Sequence, residues 1–77
     1  MNKARRCSIE KAVDNMDTIK QILEDILDEE QEYYENIPEN LQCSERALSS
    51  QDAIEYILEA IENLDCAISG LTDAIAV

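Results

Sequence analysis

A seven-residue repeat in the last third of the chain constrains its fold more than anything else in the sequence. Ala53, Ala60, Ala67 and Ala74 recur at that interval, and each is followed directly by Ile54, Ile61, Ile68 or Ile75. Ile57, Leu64 and Leu71 stand three residues after the first three isoleucines. With the isoleucines at heptad position a, the second set falls at d and the alanines at g. Side chains on a strand alternate with period two, so this spacing belongs to a helix. Gly70 and Pro38 are the only glycine and proline among 77 residues. So few breakers argue for long, uninterrupted helices.

The same periodicity runs through the first half. Ile9, Met16 and Leu23 take position a, while Ala12, Ile19, Ile26 and Tyr33 take d. Val13, Leu27 and Tyr34 widen this stripe on one side and Ile22 widens it on the other. Such breadth exceeds a two-stranded seam and suits a bundle helix with more than one neighbour. Glu30 interrupts the apolar series at a. It either snorkels at the bundle edge or marks the end of tight packing.

Between the two helices lies EYYENIPENLQCSER, Glu32 to Arg46. The residue before a proline is pushed away from helical dihedrals, so Ile37 ends the first helix near Glu35 or Asn36. Pro38 suits the opening of a short helical turn through Asn40 and Leu41. Ser44 and Ser49 are both available as caps for the second helix, and Ser44 keeps the a/d register through Ala47 and Ser50. The expectation is one domain, residues 1–77, with helices over 3–35 and 45–76 and a connector at 36–44. Two long helices with a short connector form an antiparallel hairpin. Tyr33 should then be core, with Tyr34, Ile37, Leu41 and Leu48 clustering under the connector.

A chain of this size lies near the lower limit of what one core can stabilise. A lone hairpin also leaves part of each apolar stripe wet. The all-α fold predicted is therefore a helical hairpin that dimerises into a four-helix bundle. Its interface would use the close-approach alanines Ala53, Ala60, Ala67 and Ala74, with Ile61, Ile68, Leu58 and the outward-facing Tyr56. A heterologous partner supplying the missing layer is the alternative.

Charge is distributed unevenly along the chain. Residues 1–11 hold four of the six basic residues, and the formal net charge is −12. So negative a body disfavours DNA or RNA binding, because repulsion replaces counterion release. Glu24, Asp25, Asp28, Glu29, Glu30, Glu32 and Glu35 crowd the end of the first helix, where acids oppose the helix dipole. They read either as a solvated face or as a docking face for a basic protein. Lys3, Arg5, Arg6 and Lys11 stand at the wrong end of their own helix. In a hairpin they would lie beside Asp73 and the end of the second helix. A phosphate or nucleotide contact at Lys3, Arg5 and Arg6 is the rival use.

Several function classes find no support. Histidine is absent, Cys7, Cys43 and Cys66 form no CxxC pair, and no phosphate-cradling glycine loop occurs. The expectation is therefore no catalytic residue, no metal, no cofactor and reduced thiols. No apolar run is long enough to span a membrane, and no apolar segment follows the basic start, which points to the cytoplasm.

The connector Asn36, Ile37, Pro38, Glu39, Asn40, Leu41, Gln42, then Ser44, Glu45 and Arg46, resembles that of small acidic proteins encoded by phages and prophages of gut Firmicutes and their relatives. The likeness extends to the basic start, the acidic end of the first helix and the alanine–isoleucine heptads. It implies a phage-type origin and carries over no activity and no catalytic residues; small acidic phage proteins in general often act by binding host proteins, defence nucleases included. The expected function is to bind and modulate or inhibit a host protein, one of its defence proteins among the candidates. Asp28, Glu29, Glu32, Glu35, Asn36, Asn40, Gln42, Glu45 and Arg46 would form the contact surface. Nucleotide sequestration and a purely structural assembly role are the alternatives.

Overall fold

A computed structural model describes all residues, Met1–Val77. Two long helices pack antiparallel along each other: α1 spans Lys3–Glu35 and α2 spans Glu45–Ala76. A single 3₁₀ turn, Glu39–Leu41, lies in the connector. The hairpin measures 59 × 15 × 13 Å, with a radius of gyration of 17.4 Å. A compact chain of this length would have a radius near 11–12 Å. The shape is a rod.

Local chemistry fixes both helix starts. The Asn2 side chain accepts a 2.8 Å hydrogen bond from the Arg5 N–H, and Ser44 Oγ accepts one of 3.3 Å from the Ala47 N–H. Each satisfies one of the donors that every helix N-terminus leaves free. At the far end of α1 the Asn36 N–H reaches back to the Glu32 carbonyl. Pro38 then stands just ahead of the 3₁₀ turn rather than inside it, and its carbonyl accepts from the Leu41 N–H at 2.8 Å.

Packing in α2 follows its heptads. Ala47 and Ser50 are buried, Ile61 is 8% exposed, and Ile54, Ile57, Leu64, Ile68, Leu71 and Ile75 are half-buried. Ala47 is fully buried at 0% exposure, so a methyl-sized side chain brings the helices together beside the connector.

The α1 seam departs from the a/d expectation. Apart from Glu24 and Gln31, which border it, its least exposed residues are Arg6, Ile9, Val13, Met16, Lys20, Leu23, Leu27, Glu30 and Tyr34, a run spaced alternately by three and four. The a positions therefore pair with the neighbouring e positions instead of with d. Ile19, Ile26 and Tyr33 are 50%, 43% and 43% exposed, Ile22 is 53% exposed, and Ala12 is exposed as well. Tyr33 is thus not core. Leu48 and Leu41, at 51% and 49% exposure, do not close a cluster over Tyr34 and Ile37. The physical reason lies in the polar seam residues, which find partners on α2 only in this rotation. Glu30 accepts a 2.7 Å hydrogen bond from Ser50 Oγ, and Lys20 meets Asp65 at 2.6 Å. Glu30 is therefore a polar layer within the seam, which continues beyond it to Tyr34 and Ala47.

Candidate functional site

Three regions present chemistry outside the seam, and the helix periodicity positions each. The first is the acidic end of α1. Asp25, Asp28, Glu29, Glu32 and Glu35 are all exposed, and none has a cation within ion-pair distance. Asp25 and Glu32 point most directly away from α2, Asp28 and Glu35 flank them on the side remote from the exposed isoleucines, and Glu29 turns toward those isoleucines. No basic residue occupies the last turn of α1 to offset the dipole. This end is an unneutralised negative lobe.

Beside it, Tyr33, Asn36, Ile37, Pro38, Leu41, Ser44 and Arg46 line a cleft of about 250 Å³. That falls below the roughly 300–1,000 Å³ of small-molecule sites, so the cleft suits a side chain better than a whole ligand. Of the connector residues singled out in the sequence, Asn36 and Arg46 line this cleft; Asn40, Gln42 and Glu45 do not.

At the opposite end of the rod, Arg6 Nη2 donates a 2.7 Å hydrogen bond to the main-chain oxygen of Val77. One guanidinium thus serves the carbonyl end of α2, where a positive charge is favoured. Asp73 forms no ion pair, and Lys3, Arg5 and Lys11 form none either. The three basic residues expected to hold a phosphate are split by this arrangement, since Arg6 is engaged and half-buried while Lys3 and Arg5 stay exposed.

The chain matches no family model, no curated protein and no solved structure.

The third region is one long side of the rod. On α1 it carries Ala12, Ile19, Ile22, Ile26 and Tyr33; on α2 it carries Ser49, Ala53, Tyr56, Ala60, Asn63, Ala67, Gly70 and Ala74. Each stripe lies about 110° from its helix's seam at 100° per residue, in the same rotational sense. Because the helices run antiparallel, both stripes emerge on the same side. Bulky isoleucines of α1 form a ridge beside a shallow trough on α2 that is lined by small residues except at Tyr56 and Asn63. A Cβ added at Gly70 would meet nothing within 4 Å. Glycine here costs the helix about 1 kcal/mol relative to alanine without serving any contact inside the hairpin.

The opposite side carries the ion pairs of Lys20 with Asp65 and Glu24. The Lys20 pKa lies above its ordinary 10.5, chiefly because its ammonium hydrogen-bonds to Asp65, although partial desolvation works against the shift.

Not all of the expected interface residues share the apolar side. Ile61 and Ile68 belong to the seam within the chain, and Leu58 stands with Asp65 on the polar side. Ala60 and Ala67 are exposed and Ala53 and Ala74 half-buried, while Tyr56 is 73% exposed over the trough. Reading α2 alone could not separate these groups. The cysteines Cys7, Cys43 and Cys66 are free and exposed. No helix is long and apolar enough to cross a membrane.

Proposed function

We propose that this protein is a non-enzymatic binding module that engages a basic protein through the acidic end of α1 and so modulates it. The single observation behind this reading is that Asp25, Asp28, Glu29, Glu32 and Glu35 converge at one end of a rigid rod without an intramolecular cation. Carboxylates left unpaired on a preorganised helix keep their full charge for a partner and raise its association rate by long-range attraction. The exposed Asn36 and Arg46 beside them add directional hydrogen-bonding groups at the cleft. The likeness of the connector to phage-encoded proteins supports a bacterial host protein, met in the cytoplasm, as the partner.

The test is affinity capture from a bacterial lysate with the wild type and with Asp28→Lys/Glu35→Lys. Both substitutions lie on the side of α1 facing away from α2 and leave the seam untouched. A protein captured by the wild type and lost from the variant at moderate salt is the expected result. Recovery of the same protein with both forms would exclude the acidic lobe as the binding surface.

A further inference from the structure

We infer that the apolar side of the rod is covered by a second copy of this chain, stacked antiparallel so that the connectors lie at opposite ends. The inference shares with the proposed function the view of the molecule as a binding module, and it concerns a different surface. Three observations carry it.

The first is area. The hairpin exposes 5754 Å², whereas area–mass scaling gives a folded monomer of this mass about 4,700 Å². The excess, about 1,000 Å² per chain, is close to the roughly 800 Å² that each partner contributes to a standard stable interface.

The second is the shape and composition of the face. Ile19, Ile22 and Ile26 project side by side at 43–53% exposure. The neighbouring trough offers Ala60, Ala67 and the unpacked Gly70. In a two-fold stack the α1 ridges meet near Ile19 and Ile22 at the centre. The α2 troughs meet near Ala60, with the exposed Tyr56 of each copy lying over Asn63 of the other.

The third is charge, and it selects the orientation. Each rod is basic at its terminal end, through Lys3, Arg5 and Lys11, and acidic at its connector end. With both connectors at one end, two unpaired acidic lobes would face each other in molecules already carrying −12 each. Antiparallel stacking instead brings Arg5 of one copy over Tyr33 and Glu29 of the other. There it gains an ion pair and an aromatic face. Asp28 and Glu35 still point outward, free for the partner proposed above.

A nitroxide on Cys43, which is exposed in the connector, reads the orientation directly in a Cys7→Ser/Cys66→Ser background. Sedimentation equilibrium should show a dimer at high micromolar concentration. Pulsed dipolar spectroscopy on that dimer should give a separation on the order of the 59 Å long axis. A stack with both connectors together would place the labels about two helix spacings apart, roughly 20 Å. A separation nearer that value overturns the orientation, and a strict monomer or a larger assembly overturns the second copy as occupant. Ala60→Glu tests the face itself, since Ala60 is exposed in the hairpin. The variant should keep its helical circular dichroism and lose the dimer; a helical variant that remains dimeric contradicts the inference. Asp28→Lys/Glu35→Lys should dimerise normally, so failure of the dimer and failure of partner capture are separate outcomes.

Discussion

Ser50 Oγ donates a 2.7 Å hydrogen bond to Glu30 Oε1 across the helix seam, at a heptad position where α1 would otherwise carry an aliphatic residue. Ser50 is 3% exposed and Glu30 half-buried. One polar layer is thereby built into an otherwise apolar contact, and with Lys20–Asp65 it selects the rotation of α1 against α2. Ser50→Ala removes the only donor that reaches this carboxylate and should cost about 1–2 kcal/mol. The double variant Glu30→Leu/Ser50→Ala replaces both partners by apolar groups and should match or exceed the wild type. Urea denaturation of the set checks both statements, and a double variant less stable than Ser50→Ala would contradict them.

Lys20 supplies a pH signature. Its pKa is raised in the folded state by the hydrogen bond to Asp65. A base whose pKa is higher folded than unfolded stabilises fully below the unfolded value. That stabilisation disappears as pH rises through the folded value. The contribution should therefore be constant through neutral pH and fade only above 10.5. Lys20 should titrate above 10.5 by side-chain NMR in the wild type and move down toward it in Asp65→Asn.

The fold could be read from the sequence because α2 leaves no choice. Its isoleucines and leucines repeat at a and d through Leu71 and Ile75, and the apolar residues outside that register, Leu48, Tyr56 and Leu58, are too scattered to compete, so one face had to be the seam. In α1 the reading was underdetermined. Apolar residues occupy a and d, recur at e in Val13, Leu27 and Tyr34 and stand at g in Ile22, and Val13 with Leu27 is chemically no better a seam than Ile19 with Ile26. What decides is the placement of Lys20 and Glu30, which a purely hydrophobic pattern treats as interruptions. Reading the two helices against each other, with Glu30 opposite Ser50, carries the missing signal. The acidic lobe was visible in the sequence as a cluster, since charge density needs no fold. The cleft was not, because Tyr33 and Arg46 lie on different helices and meet only through the connector.

Core truncations should separate the seam from the open face. Leu27→Ala and Ile61→Ala empty the two large side chains that are only 8% exposed, and each should cost about 2–4 kcal/mol. That is most of the roughly 3–5 kcal/mol a core of this size supplies. Ile22→Ala, at a side chain 53% exposed, should leave the stability of the isolated hairpin nearly unchanged. Its melting temperature should equal that of the wild type at high dilution and fall below it as concentration rises. An equal deficit at all concentrations would place Ile22 in the seam.

The acids at the end of α1 should be a liability for the free protein. Glu32→Lys and Glu35→Lys each replace repulsion of the helix dipole with attraction. Each should raise stability by about 0.3–1 kcal/mol at low ionic strength. Added salt should stabilise the wild type more than either variant, since screening relieves its self-repulsion. A fall in melting temperature in either variant would show that these carboxylates hold the fold.

The rod is divided into a seam and an unpartnered apolar side. Isotope-filtered NOE spectroscopy on an equimolar mixture of labelled and unlabelled chains tests that division at single methyl groups. Intermolecular contacts should appear at Ile19, Ile22 and Ala60, and none at Ile61 or Leu27. Intermolecular contacts at Ile61, or their absence at Ile22 in a sample that sediments as a dimer, would contradict the account.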